Sequence, residues 1–139
     1  MWRLKINWQG LLPIAEKVVV IEDDSTLRML MTDILKEIGA QCSAFESADD
    51  ALVYLLETNV PHPLLVVDQA LPGQIQGVEF IEMVKRKWPT TGAILMSGYL
   101  LESAILPPLT KYLQKPWSLD EFVVAVSEVL QPDTPLSRI

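Results

Sequence analysis

The sequence predicts a doubly wound α/β domain, in which helices cover both faces of a parallel sheet. Short continuous apolar runs, typical of strands buried on both faces, alternate with longer segments whose apolar residues recur at helical spacing. This alternation implies right-handed crossovers between parallel strands. The chain has 139 residues, of which 50% are hydrophobic, enough for one domain with its own core.

The first predicted strand is the apolar run Val18–Ile21, which ends in Glu22, Asp23 and Asp24. A helix follows, and Gly39 stands where its C-terminus is expected. The apolar face of this helix consists of Leu27, Leu30, Met31, Ile34, Leu35 and Ile38.

A second strand is predicted over about Gln41 to Phe45, and Ser47 is a candidate N-cap for the second helix. The third strand, Leu64–Val67, again reads as buried and ends on Asp68. One face of the second helix carries Ala48, Ala51, Leu52, Leu55 and Leu56.

A third helix is predicted over about Val78–Trp88, and Pro89 stops it. The fourth strand is Ala93–Met96. The loop before the third helix contains Pro72, Gly73 and Gly77.

Residues 98–109 fit a helix less well, because Pro107 and Pro108 forbid a long one. We therefore expect a short or irregular fourth helix there. A short fifth strand, Lys111–Leu113, precedes a last helix that begins after Ser118. That helix has one apolar side, formed by Leu119, Phe122, Val123, Val126, Val129 and Leu130.

The domain is predicted to span residues 17–130, with an N-terminal extension over residues 1–16 and a C-terminal tail over residues 131–139. The extension contains Trp2 and Trp8 among other apolar residues. A docked strand, the end of an upstream domain and a partner-binding arm are all compatible with it.

Composition excludes several classes of function. The formal net charge of −7 argues against direct nucleic-acid binding, and the basic run Lys85–Arg86–Lys87 is interpreted as a solvated helix face. A single cysteine, Cys42, excludes an intramolecular disulfide and a Cys-rich zinc site, and we expect a buried, inert thiol. The single histidine, His62, is assigned no role. Because no membrane-spanning run or signal peptide is found, we expect a cytoplasmic protein.

Polar side chains follow four of the predicted strands. Because ligands of open parallel sheets bind outside the carboxyl ends of the strands, we expect these side chains to converge at one edge. They are Glu22 and Asp23 after the first strand, Asp68 after the third, Ser97 after the fourth and Lys115 after the fifth.

Such a cluster suits phosphoryl transfer. Crowded carboxylates raise one another's pKa unless a cation lies among them, and oxygen-only ligands fit magnesium. Magnesium and Lys115 would neutralise the equatorial oxygens of a transferring phosphoryl group, and Asp68 would be the nucleophile that forms an aspartyl-phosphate. Taken singly, strand-end acids often only cap helices and Ser97 suits a turn, so the prediction depends on the combination.

In this combination the sequence resembles the receiver domains of two-component response regulators, over about residues 17–130. VVVIEDDSTLR is similar to the first strand and acidic pair of that family, and LLVVDQALPG to its phosphoacceptor strand and loop. ILMSGY resembles the fourth strand and KYLQKPW the fifth. The resemblance implies the flavodoxin-like fold of that family.

The resemblance also implies a magnesium site and a phosphoryl donor. Asp68 would accept the phosphoryl group from a histidine kinase or a histidine phosphotransfer protein. The protein would act on no other substrate, and would take part only in its own phosphotransfer and dephosphorylation. The implied magnesium ligands are Asp23 and Asp68 directly, Glu22 through water, and the Ala70 carbonyl.

Three further residues would bind the phosphoryl group and transmit the signal. Lys115 would be the phosphoryl-binding lysine, while Ser97 and Tyr112 would move inward together. The altered face would then be recognised by a downstream protein, which the sequence does not identify. The resemblance further implies a cis bond between Lys115 and Pro116.

Two features depart from the family pattern. The loop after Asp68 has one residue more before Gly77 than the commonest pattern, a variant associated with receivers of hybrid sensor kinases. The stretch from Ser97 to Lys115 is about four residues short, so we expect an altered fourth helix and signalling surface. This stretch and residues 1–16 are compatible with a homodimer.

Two other functions differ in what they require of the sequence. A phosphotransferase or phosphatase of the haloacid-dehalogenase type would be expected to have an Asp-x-Asp motif at its first strand and a sizeable cap domain. This chain has Glu-Asp-Asp there and is too short for such a cap. A receiver-like scaffold that is not phosphorylated would be expected to lose Asp68, Lys115 or the acidic pair, and all of them are present.

Overall fold

The computed structural model describes residues 8–9, 16–98, 106–133 and 137–138. The elements follow one another along the chain as β1 (Trp8–Gln9), β2 (Lys17–Ile21), α1 (Ser25–Glu37), β3 (Gln41–Phe45), α2 (Ala48–Thr58), β4 (Leu64–Asp68), α3 (Gly77–Lys87), β5 (Gly92–Ser97), β6 (Thr110–Gln114), α4 (Leu119–Leu130) and β7 (Ser137–Arg138).

Five of the strands form one parallel sheet in the order β3-β2-β4-β5-β6. The chain first builds outward from β2 to β3 and then returns to β4, so the strand order reverses between the two central strands. This topology confirms the predicted doubly wound, flavodoxin-like fold. The Lys115–Pro116 bond is cis, as predicted. Residues 99–105, where the short or irregular fourth helix was expected, lie outside the described residues.

The core is divided by the sheet into two halves, because successive strand residues point to opposite faces. Val18 and Val20 of β2 pack on the side of α1 and α4, where Phe122 is fully buried. Val19 and Ile21 pack on the side of α2 and α3. Each large side chain buried in this way contributes about 1.5–3 kcal/mol. Both halves hold β2 and β4 in place, and these strands carry the acidic residues.

The helix that follows β2 begins at a side-chain cap. The Asp24 carboxylate accepts hydrogen bonds from the Thr26 and Leu27 N–H groups at 2.9 and 3.1 Å. Ser47 caps α2 as predicted, since its hydroxyl accepts from the Asp50 N–H at 3.2 Å. Both caps satisfy N–H groups of the first turn and mark where each helix starts.

The two short terminal strands pair with each other rather than with the main sheet. Trp8 lies opposite Arg138 and Gln9 opposite Ser137 in an antiparallel pair. The described residues of the N-terminal extension therefore form a strand, one of the three alternatives considered, and this strand pairs with the C-terminal tail. The division at residues 17–130 stays a prediction. None of the helices in the described part of the chain has the length and apolar character needed to span a bilayer.

Candidate functional site

Three carboxylates meet at the carboxyl ends of the two central strands. Glu22 and Asp23 follow β2 and Asp68 ends β4, and one carboxylate oxygen from each lies within 4.8 Å of the others. Glu22 and Asp68 are buried, whereas Asp23 is exposed. The cluster lies where the strand order reverses, which is the usual place for a ligand site in this architecture.

The Lys115 ammonium closes the cluster on one side. Its Nζ lies 2.6 Å from Glu22 Oε1 and 3.2 Å from Asp68 Oδ2. The backbone N–H of Lys115 donates to the Ser97 carbonyl at 2.8 Å, which ties the residue to the end of β5. Three carboxylates against one ammonium leave an excess of negative charge in a mostly buried site.

Burial raises the pKa of Glu22 and of Asp68 above their ordinary values, although the neighbouring Lys115 opposes the change in both. Burial alone would lower the pKa of Lys115, but its hydrogen bond to Glu22 and the charges of Asp68 and Glu22 raise it instead. Lys115 therefore stays protonated, and one ammonium does not fully compensate the carboxylates. A bound cation would relieve this repulsion.

The acidic pair is also held from α1. The second oxygen of Glu22, Oε2, accepts from the Asp24 N–H at 3.2 Å. Arg28 Nη1 donates to the Glu22 carbonyl at 2.7 Å and lies 3.5 Å from the Asp23 carbonyl. Sequence reasoning missed Arg28, which could have been noticed as a basic residue at the start of the helix that follows an acidic pair.

The loop between β4 and α3, residues 69–76, is called the acceptor loop below. Ala70 lies in it and is exposed. Gln69 Oε1 accepts from the Val78 N–H at 2.9 Å, at the start of α3. The Gln76 side-chain amide makes a pair of hydrogen bonds with the Leu71 backbone: it accepts from the Leu71 N–H and donates to the Leu71 carbonyl, both at 3.0 Å. These bonds close the acceptor loop on itself.

Asp49, in the first turn of α2, also binds the acceptor loop. Its two carboxylate oxygens accept from the Gln74 and Ile75 N–H groups, each at 3.1 Å. Sequence reasoning missed this contact, because an acidic residue in the first turn of a helix is explained by the helix dipole alone.

Ser97 and Tyr112, the remaining predicted site residues, lie on the neighbouring strands. Ser97 ends β5 and is buried, one position beyond Met96, which lies opposite Asp68 in the sheet. Tyr112 is half-buried in β6 opposite Leu95. The structure thus brings Glu22, Asp23, Asp68 and Lys115 into one cluster, with Ser97, Tyr112 and Ala70 on the adjoining strands and loop.

The cluster suits a hard divalent cation. Its donors are carboxylate oxygens, the ligands that magnesium takes in preference to nitrogen or sulfur. The exposed Asp23 leaves a side open for a metal ion that keeps several waters and for a phosphate. The arrangement fits metal-assisted transfer of a phosphoryl group to a carboxylate.

Several known proteins resemble this chain over most of its length. The family model described as the response regulator receiver domain matches residues 18–127. The chain is 29% identical over 119 residues to the hydrogenase transcriptional regulatory protein HoxA of Cupriavidus necator, covering 82% of this chain and 24% of that protein. It is 30% identical over 115 residues to the DNA-binding transcriptional regulator NtrC of Klebsiella pneumoniae, covering 80% of this chain and 24% of that protein.

The chain therefore spans about a quarter of the length of these relatives. A response regulator receiver protein from Sinorhizobium medicae has the same fold, with a TM-score of 0.76 at 19% identity, covering 84% of this chain and 94% of that chain. The association of the longer acceptor loop with hybrid sensor kinases gains no support from HoxA and NtrC, which are described as transcriptional regulators.

Proposed function

Because this chain belongs to the response regulator receiver domain family of two-component systems, we propose that Asp68 accepts a phosphoryl group from a histidine kinase or a histidine phosphotransfer protein. One observation carries the proposal. Asp68 is the carboxylate that ends a central strand, contacts Lys115 and lies within 4.8 Å of the acidic pair. The chain's chemistry is then limited to its own phosphotransfer and dephosphorylation. HoxA and NtrC are described as transcriptional regulators.

In the transfer step, an Asp68 carboxylate oxygen attacks the phosphorus of the donor. The phosphorus–nitrogen bond of a phosphohistidine breaks, the imidazole leaves with the bonding electrons and takes up a proton, and an aspartyl-phosphate forms. Lys115, already 3.2 Å from Asp68, stays close enough to stabilise the charge on the phosphoryl oxygens. The buried Ser97 hydroxyl would donate a hydrogen bond to one of those oxygens.

Magnesium, when bound, supplies the positive charge that neutralises the transferring group. Asp23, Asp68 and the Ala70 carbonyl would be direct ligands. Glu22 would act through water, and its contacts support this role, because Lys115 Nζ occupies one of its oxygens and the Asp24 N–H the other.

The output would be a change of shape. Ser97 and Tyr112 would move inward together after phosphorylation, which alters the surface around β6 for a downstream protein. Although NtrC is described as DNA-binding, this chain covers 24% of it, and we propose that the chain itself contacts protein rather than nucleic acid. The acidic net charge of −7 supports this view. A cytoplasmic location and a homodimer stay predictions.

The decisive experiment is intact-mass measurement after incubation with magnesium and acetyl phosphate. The wild-type protein should gain one phosphoryl group only when magnesium is present, and Asp68→Asn should gain none. A stable gain in Asp68→Asn would refute the assignment of the acceptor. No gain in the wild type under any condition would favour the scaffold function, in which the receiver fold only binds a partner.

Lys115→Ala separates labelling from signalling. Because Lys115 contacts both Glu22 and Asp68, the variant should still be labelled but should lose the shape change that labelling causes. Amide chemical shifts recorded with and without acetyl phosphate measure that change. Equal shift changes in the variant and the wild type would show that Lys115 does not transmit the signal.

A further inference from the structure

We propose that Asp49 is a positioning residue for the acceptor loop and, through that loop, for magnesium binding beside Asp68. The inference rests on the proposed function, since it concerns how the same site is held in shape. Asp49 lies in α2, outside the acidic cluster at the strand ends. Its part would be to fix the backbone that carries Ala70.

The contact joins two distant parts of the chain through a charged acceptor. Asp49 Oδ2 accepts from the Gln74 N–H and Oδ1 from the Ile75 N–H, across 25 and 26 residues. Both oxygens are therefore used, and two consecutive loop N–H groups point at one side chain. Hydrogen bonds to a charged acceptor are the stronger kind, and a pair of them also sets direction.

The backbone beside these bonds is shaped to let the carboxylate approach. Gly73 has φ +93°, a left-handed conformation that side chains rarely adopt. A Cβ at Gly73 would lie 3.0 Å from Asp49 Oδ1 and 3.1 Å from Asp49 Cγ. Glycine is thus needed at this position both for its conformation and for its lack of a side chain, and both requirements serve the contact with Asp49.

Asp49 provides a connection between the acceptor loop and α2 that the bonds within the loop do not provide. The bonds between Gln76 and Leu71 close the acceptor loop on itself, whereas Asp49 ties it to α2. Without that tie, the Gln74 and Ile75 N–H groups would turn to water and the loop would drift relative to Asp68. Groups that orient metal ligands in this way typically change metal affinity by 10–100-fold when they are removed.

Asp49→Asn tests the inference, with Asp50→Asn as its matched control. Both residues are acidic and stand in the first turn of α2, so both variants remove the same charge beside the same helix N-terminus. Asp50 is exposed, and its backbone N–H rather than its carboxylate makes the bond to Ser47. Asparagine keeps the shape of aspartate and one acceptor oxygen, which favours a folded protein.

Two readouts are needed, and neither uses phosphorylation. The first is magnesium chloride titration of the unphosphorylated protein, followed by amide chemical shifts; Asp49→Asn should raise the half-saturating concentration about tenfold, and Asp50→Asn should leave it near the wild-type value. The second is hydrogen exchange of the Gln74 and Ile75 amides, which should quicken only in Asp49→Asn.

Equal behaviour of the two variants in either readout would overturn the inference. Phosphorylation with acetyl phosphate then distinguishes a failure of this inference from a failure of the proposed function. If the wild type is never labelled, the proposed function fails while the titration still decides on Asp49. If the wild type is labelled, Asp49→Asn should be labelled fully at saturating magnesium, because the residue positions the loop and does not react.

Discussion

The surroundings of Asp68 show how the proposed acceptor residue would cost stability. Its carboxylate is buried beside that of Glu22, lies within 4.8 Å of the exposed Asp23 carboxylate as well, and shares one ammonium with Glu22. The site is therefore more favourable with a cation bound than without one. If stability alone mattered, an uncharged residue would be favoured at this position.

Asp68→Asn should accordingly stabilise the metal-free protein. The change keeps the shape and removes one negative charge, while Lys115 keeps its 2.6 Å contact with Glu22. We expect the free energy of unfolding in magnesium-free buffer to rise by about 1 kcal/mol. Urea unfolding at neutral pH measures it.

Magnesium provides the internal check on that prediction. Because it binds the folded wild type better than the variant, adding it should narrow the difference in the free energy of unfolding. Glu82→Gln removes an exposed charge in the middle of α3 and should change stability by no more than about 0.5 kcal/mol. A metal-free Asp68→Asn less stable than the wild type would contradict the argument from repulsion.

Cys42 is predicted to be a poor nucleophile. Burial raises the pKa of its thiol from 9.0 to about 11, slightly opposed by the charge of Lys36. At pH 8 the reactive thiolate is then roughly 0.1% of the thiol, against roughly 10% at the ordinary value. Alkylation by iodoacetamide should be on the order of 100-fold slower in the native protein than in urea, followed by mass spectrometry. Equal rates would show that the native thiol is not protected.

Among the elements, the start of α3 packs closely against the end of β4. A Cβ at Gly77 would lie 2.6 Å from the Asp68 carbonyl and 2.8 Å from Gln69 Cα, both backbone atoms. Helix α3 therefore packs against the end of β4 more closely than any side chain would allow. The same contact places Gly77 N–H 3.1 Å from the Gln69 carbonyl.

Gly77→Ala should push these two elements apart. We expect a loss of about 1–3 kcal/mol in the free energy of unfolding, as for other overpacked positions, together with slower labelling of Asp68 by acetyl phosphate. Gly98→Ala is the control, because nothing lies within 4 Å of a Cβ built there. Thermal unfolding and intact mass measure the two effects. If both variants keep wild-type stability and labelling, the close contact at Gly77 is not a constraint.

The sequence predicted elements better than it predicted contacts. Strand β2 was predicted from Val18 and begins at Lys17, because apolar runs mark buried strands directly. The same logic predicted that Glu22, Asp68 and Lys115 would meet at one edge of the sheet, as their contacts show. Asp49 was not found, because its partners are 25 and 26 residues away and nothing local distinguishes it from Asp50. The 2.6 Å contact between Lys115 Nζ and Glu22 Oε1 likewise forms only when the sheet is folded, so its distance could not be predicted from the sequence.

For the molecule as a whole, the sheet connects the acidic cluster with the two halves of the core. Both halves of the core pack on β2 and β4, the strands at whose carboxyl ends the acidic cluster lies. A second polar network links α2, β3 and the loop before β4, and it involves the one histidine, to which sequence reasoning assigned no role.

His62 joins three segments through hydrogen bonds. Its Nδ1 lies 3.0 Å from the Val60 carbonyl, which can only accept, so Nδ1 carries the proton. Nε2 is then free to accept from the Tyr54 hydroxyl at 3.4 Å, and Ser43 Oγ donates to that hydroxyl at 3.0 Å. Burial lowers the pKa of His62, the bond to Val60 opposes the change, and the charge of Lys17 adds to it. The folded protein therefore favours the neutral imidazole.

This network should make stability depend on pH below about 6.5. There the unfolded chain binds a proton at His62 that the folded chain resists, so the free energy of unfolding falls as the pH drops from the unfolded pKa of 6.5 towards the lower folded value. His62→Asn can still donate to the Val60 carbonyl but does not titrate. The carboxylates titrate in both proteins, so their contribution to the pH dependence cancels when the unfolding free energy of the variant is subtracted from that of the wild type. Urea unfolding from pH 8 to pH 5 should show the wild-type advantage shrinking, and a difference that stays flat or grows would mean that His62 is readily protonated in the fold.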